Sequence, residues 1–192
     1  MTDATAPLTD TQKVRLLQVS RQAIFQQVSR GRVPPVDVDD ERLKLPGGAF
    51  CSLHIRERMR GCIGTFEDGA PLYKTVIDVS VGAATRDERF GPMRLDEVPR
   101  LDIELSVLSP MTLVSPDEVI PGTHGLFITV GRQRGTMLPQ VAPEFEWDRE
   151  ELLSQTCTRA GLEPDAWRAE GCRIEVFTAE VFSESELRGR RR

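Results

Sequence analysis

Between residues 49 and 55, apolar Ala49, Cys51, Leu53 and Ile55 alternate with polar Ser52 and His54, and Arg56 continues the polar set. A period of two puts the apolar set on one face of an extended strand and the polar set on the other. This segment therefore predicts a strand that is buried on one side only. Glu57-Arg58 reads as a short reversal into a second strand over residues 59–66, giving a hairpin, with no Asn-Gly pair to fix the turn type. The second strand carries Arg60-Gly61-Cys62-Ile63-Gly64. Glycine weakens a strand interior, so it marks a bulge or a close approach by backbone or ligand. In a regular strand Arg60, Cys62 and Gly64 share a face.

Around this hairpin the pattern mixes helices and strands. Residues 9–30 predict a helix: Thr9 with Gln12 resembles a capping box, Leu8 suits a hydrophobic staple, Val14, Leu17, Ile24 and Val28 fall near one face, and Gly31 supplies a left-handed stop. Residues 32–48 are rich in Pro, Asp and Gly and predict a long loop. Residues 68–70 form a turn, and a helix runs from Pro71, at its first position, to about Thr85. Residues 101–108 alternate as another strand. Residues 126–130 and 137–141 predict short strands around a hairpin loop at 131–135. Asp148 and Glu151 cap a helix whose apolar stripe is Leu152, Leu153, Thr156, Cys157 and Ala160, stopped by Gly161. Residues 173–177 close the chain as a strand. No regular strand-helix alternation is present, so the expected class is α+β, with a mainly antiparallel sheet and flanking helices.

A chain of 192 residues, 39% hydrophobic and 29% charged, suits one domain with two unequal lobes. The ends near residues 1–7 and 187–192 are expected to be disordered. No apolar run approaches a membrane span, and residues 1–10 carry no signal-peptide pattern, so a cytoplasmic location is expected. The net charge of −5 disfavours broad binding to nucleic acid, and the basic Arg188-Gly189-Arg190-Arg191-Arg192 tail reads as solvated. Cys51, Cys62, Cys157 and Cys172 form no Cys-x-x-Cys pair and are expected to be free thiols. Cys51 and His54 point to opposite faces of one strand and cannot clamp an ion together, so neither metal nor cofactor is expected.

Candidate chemistry centres on Cys62. A thiol beside the Arg60 guanidinium tends towards thiolate; the competing reading is a small packed cysteine between glycines that make room. His124, between Gly122 and Gly125 where a loop enters a strand, is a base for Cys62 or a turn histidine bonded to backbone. Asp87 is placed to orient a histidine or an arginine, and Arg86 or Arg89 to hold an anion; the competing reading is a solvated charge run anchored by Phe90. Gln140, Glu144 and Trp147 either line a pocket or leave Trp147 as a lid over the core. No phosphate loop, dinucleotide fingerprint, His-Glu-x-x-His or Gly-x-Ser-x-Gly occurs.

Arg60-Gly61-Cys62-Ile63-Gly64 resembles the core of the signature of the AMMECR family, with Met59 in place of the usual leucine. Asp87-x-Arg89-Phe90, residues 104–110, His124-Gly125-Leu126, residues 138–142, Glu144-x-x-Trp147 and Cys157-x-x-Ala160-Gly161-Leu162 look like that family in its order, over roughly residues 6–186. The resemblance implies two lobes with a cleft between them, bordered by several of these residues. Bacterial and archaeal members are similar to protein A of the AmmeMemoRadiSam system, which implies a Memo-like protein and a radical S-adenosylmethionine protein as partners. It implies no reaction. Two functions follow as expectations: a component that binds a small ligand or a protein partner through Arg60, Gly61, Gly64, Arg89, Gln140, Glu144 and Trp147, or a cysteine enzyme using Cys62, His124 and Asp87.

Overall fold

The computed structural model describes residues 6–66 and 69–189. The chain divides into two compact units of unequal size, Met1–Leu108 with Glu180–Arg192, and Ser109–Ala179. Each has its own sheet and its own apolar core.

In the first unit, α1 (Asp10–Arg30) starts at Thr9. The Thr9 hydroxyl accepts from the Gln12 N–H at 3.3 Å, and the Gln12 side chain accepts from the Thr9 N–H at 3.0 Å. This is the reciprocal cap expected from the sequence, and Gly31 ends the helix at φ +67. Leu16 and Val19 are buried beside Leu17 and Ile24, so the apolar face is wider than the four expected positions. Within the expected loop, Asp40 caps a short helix α2 (Glu41–Lys44), which buries Leu43.

The hairpin strands are β1 (Ala49–Ile55) and β2 (Arg58–Thr65). The turn residues between them, Arg56 and Glu57, have φ +50 and +63. Helix α3 (Leu72–Thr85) follows; Pro71 is its N-cap rather than its first helical residue. Strand β3 (Asp102–Leu108) and the last strand and helix of the chain, β8 (Ala179–Ser183) and α6 (Glu184–Gly189), complete this unit. The sheet order is β2-β1-β3-β8, with β1 antiparallel to both β2 and β3. Ala49, Cys51 and Leu53 of β1, with Leu105 and Ile103 opposite them, face a core shared with α1 and α3. Inside that core the Ser20 and Ser80 hydroxyls bond at 2.7 Å, next to the Cys51 thiol.

Neither β8 nor α6 was expected from the sequence. Leu187 is buried and Arg21 pairs with Glu184, so residues 187–189 belong to a packed helix rather than to a disordered end. Residues 1–5, 67–68 and 190–192 lie outside the described residues, and with them parts of the expected disordered ends and of the turn at 68–70.

The second unit holds β4 (Thr112–Leu113), β5 (Gly125–Val130), β6 (Gln133–Met137), α4 (Val141–Glu144), α5 (Arg149–Arg159) and β7 (Arg173–Phe177), with sheet order β4-β7-β5-β6. The hairpin turn is tighter than expected. Val130 pairs with Gln133, so only Gly131 and Arg132 connect the strands, and residues 133–135 are strand rather than loop. Residues 137–141 are not a strand beyond Met137; they lead into α4. Gly131 takes φ +59, the left-handed conformation that the turn needs. Gly135 instead lets α5 approach, since a Cβ there would lie 2.4 Å from the Thr156 carbonyl oxygen. Helix α5 carries the predicted Asp148–Glu151 capping box. Among the described residues no helix is long and apolar enough to cross a membrane.

Candidate functional site

The hairpin register shifts at one point. Leu53 pairs with Gly61 but His54 pairs with Met59, which leaves Arg60 as an extra residue on β2. The bulge breaks the alternation. Met59 and Cys62, three residues apart, both stand opposite residues of the polar face, His54 and Ser52. Cys62 and Gly64 therefore share a face as expected, but Arg60 leaves their row. Gly61 turns towards α3, where a Cβ would lie 2.1 Å from the Ala83 carbonyl oxygen. Gly64 lies under the Phe50 ring, 2.0 Å from where its Cβ would be.

Arg60 is half-buried and forms a two-pronged ion pair with Glu97, Nε to Oε1 at 2.8 Å and Nη2 to Oε2 at 3.1 Å. Glu97 also accepts the Arg94 N–H at 2.8 Å. The Arg60 guanidinium, helped by that N–H, holds the Glu97 carboxyl below its ordinary range. Arg60 thus braces the segment before the 3-10 turn Val98–Arg100.

Among the described residues β2 is the outer strand of its sheet, so one side of its backbone has no strand partner there. At Cys62 two side chains take that place. Asp87 Oδ2 accepts the Cys62 N–H at 2.8 Å, and Arg89 Nη2 donates to the Cys62 carbonyl at 3.4 Å. The same two residues pair with each other, Nε to Oδ1 at 3.0 Å and Nη2 to Oδ2 at 2.7 Å. The Arg89 guanidinium, then the N–H groups of Cys62 and Arg89, hold the Asp87 carboxyl far below the usual carboxylate range. The Asp87 side chain is 5% exposed, whereas that of Arg89 is 60% exposed and lies 5.5 Å from the half-buried Phe90 ring. Asp87 thus holds both the Cys62 backbone and the Arg89 guanidinium. Arg86 is engaged elsewhere, donating to the Asp78 side chain at 2.8 Å and to its carbonyl at 3.0 Å.

The Cys62 sulfur is half-buried and accepts from the Ser52 hydroxyl at 3.4 Å. Ser52 and Glu97 were not singled out from the sequence. Ser52 was visible as the middle residue of the polar face of β1. Glu97 had no local signal, because it meets Arg60 across 37 positions. Cys51 is a different kind of thiol: burial pushes it up to about 12, against two serine hydroxyls that pull the other way. His54 is half-buried on the opposite face from Cys51.

The remaining candidates belong to the second unit. His124 sits in a turn: its N–H bonds to the Ile120 carbonyl at 2.9 Å, and its ring Nδ1 accepts the Ile120 N–H at 3.2 Å. The neutral ring then carries its proton on Nε2. Gln140 and Glu144 are exposed at the two ends of α4. Trp147 packs against the second core and stacks on Phe145, with ring centroids 5.1 Å apart.

Three comparisons bear on what this arrangement belongs to. The AMMECR1 family model matches residues 17–182. Protein MJ0810 of Methanocaldococcus jannaschii is 38% identical over 176 residues, covering 87% of this chain and 88% of the relative. Protein PF1979 of Pyrococcus furiosus is 38% identical over 187 residues, covering 91% and 89%. The crystal structure of uncharacterized protein PH0010 from Pyrococcus horikoshii superposes with a TM-score of 0.80 at 35% identity, covering 91% of this chain and 92% of that one. The names of these relatives carry no activity, so they supply a family and a fold: this chain belongs to the AMMECR1 family.

Proposed function

We propose that the chain is a binding component, and that its ligand or partner engages the surface formed by Cys62 and Arg89. The observation that carries this reading is how the polar neighbours of β2 are used. Asp87 and Arg60 are the groups a catalytic scheme would need as orienter and thiol activator. Asp87 instead holds the Cys62 backbone and Arg89, and Arg60 holds Glu97. What stays accessible is the Arg89 guanidinium, fixed on two sides, beside a half-exposed sulfur. A guanidinium fixed in this way favours a carboxylate or phosphate group on the ligand. The family resemblance makes a Memo-like protein and a radical S-adenosylmethionine protein the partners to try first. Co-purification with each, and thermal shift with small carboxylates and phosphates, test the reading. Association or a shift that Arg89→Ala removes is the expected result. No association and no shift in the unmodified chain would overturn it.

One observation favours a second reading, the cysteine enzyme. The half-exposed Cys62 sulfur accepts from the Ser52 hydroxyl at 3.4 Å, so a polar neighbour positions a thiol that solvent can reach. Alkylation of Cys62 no faster than a free thiol would remove this alternative.

A further inference from the structure

We propose that residues 144–147 form a docking surface for an arginine-bearing peptide segment of a partner protein. This surface lies in the second unit and does not depend on the reading above.

The argument begins with backbone geometry. Helix α4 ends in a Schellman motif: the Trp147 N–H bonds to the Ala142 carbonyl at 2.9 Å and the Glu146 N–H to the Pro143 carbonyl at 3.3 Å. The residue between must be left-handed, and glycine takes that place most readily. Here it is Glu146, at φ +56. The chain thus accepts backbone strain and places a carboxylate at that corner. Such strain is held by surrounding structure and concentrates where a side chain is needed for recognition.

The side chains show what that corner presents. Phe145 is 58% exposed, and its ring stacks on Trp147, at 5.1 Å and 21° between planes. With one face against the indole, the phenyl ring offers its other face and its edge to solvent. Trp147 itself is anchored on the second core. Glu144 and Glu146, on either side of Phe145 in sequence, are exposed and unpaired among the described residues. The nearest cation in sequence, Arg149, is turned away to the Val119 carbonyl at 2.8 Å. An exposed, stacked aromatic ring flanked in sequence by two exposed carboxylates complements a guanidinium, which can stack on the ring and donate to a carboxylate. A lysine supplies the charge without the stacking.

The test uses the full chain and a fluorescently labelled hexa-arginine peptide, with binding read by anisotropy against salt. Expected are saturable binding, weaker binding of hexa-lysine, and an affinity loss of about fivefold or more in Phe145→Ala. Glu146→Gly separates recognition from folding. It relieves the strained corner, so its melting temperature holds or rises, while peptide affinity falls. Glu163→Gln, which removes one exposed carboxylate elsewhere on this unit, controls for net charge and is expected to leave binding unchanged. The proposal is overturned if Phe145→Ala or Glu146→Gly binds as the unmodified chain does. It is also overturned if Glu163→Gln loses as much as Glu146→Gly, or if hexa-arginine does not bind.

Discussion

Gly61 and Ala83 meet so closely that a methyl group on Gly61 would stand 2.1 Å from the Ala83 carbonyl oxygen and 3.0 Å from its carbonyl carbon. Both atoms are backbone, so relief requires α3 to move off the sheet. Gly61→Ala is expected to destabilise by about 3 kcal/mol, at the upper end of overpacking costs. Gly64→Ala is expected to cost less, because its obstacle is the half-buried Phe50 ring, which can rotate away. Urea unfolding of both variants measures the order; Gly64→Ala as the more damaging change would contradict it.

Asp87 contributes stability in a definite pH window. Its carboxyl is depressed in the folded chain, so its contribution is complete above the unfolded-state value of about 3.9 and is lost as pH falls below that. Asp87→Asn removes a charged acceptor from the Cys62 N–H and from Arg89. The loss should be about 2 kcal/mol at pH 7, discounted because Arg89 is largely exposed. The gap between the two proteins should hold from pH 7 to about 5 and shrink below about 4. A gap independent of pH would contradict the assignment.

The four thiols should separate by access. Cys62 and Cys172 are half-buried, while Cys51 and Cys157 are buried. Burial also raises Cys157 and Cys172, and takes Cys51 to about 12. Iodoacetamide at pH 8 should label Cys62 first, Cys172 more slowly, and Cys51 and Cys157 only after unfolding. Peptide mass spectrometry over time reads the order directly.

The hairpin turn carries removable strain. Arg56 and Glu57 both occupy the left-handed region, where a two-residue turn of this hand prefers Asn-Gly. Replacing the pair, Arg56→Asn with Glu57→Gly, should stabilise the chain by roughly 1–2 kcal/mol. A fall in the thermal midpoint would show that these side chains hold the turn in a way that the backbone angles do not reveal.

The elements that were legible in the sequence are those whose signals are local. Thr9 with Gln12, and Asp148 with Glu151, announce helix starts through bonds spanning three residues. The alternation of β1 gave both its limits and its buried face. Signals that depend on distant contacts were lost. Gly131 and Gly135 look alike in sequence, yet one makes a turn and the other makes room for α5, so the sequence pattern suggests a wider hairpin loop than the one that forms. Helix α2 sat in a Pro- and Asp-rich stretch, with only Asp40 to mark it. The bulge at Arg60 is a matter of register, and register is decided by the partner strand. Cys62, Asp87 and Arg89 do meet as one group, which order along the chain alone could not show.

The way Asp87 and Arg89 engage Cys62 has one more consequence. An outer strand normally displays a row of unpaired amides and carbonyls, which another chain can copy into a growing sheet. Here the amide and the carbonyl of the same residue are occupied by a carboxylate and a guanidinium from within the molecule. The charges that make this region resemble a reactive centre also block strand-by-strand addition at β2. Weakening them would make the protein more prone to aggregate before it unfolds.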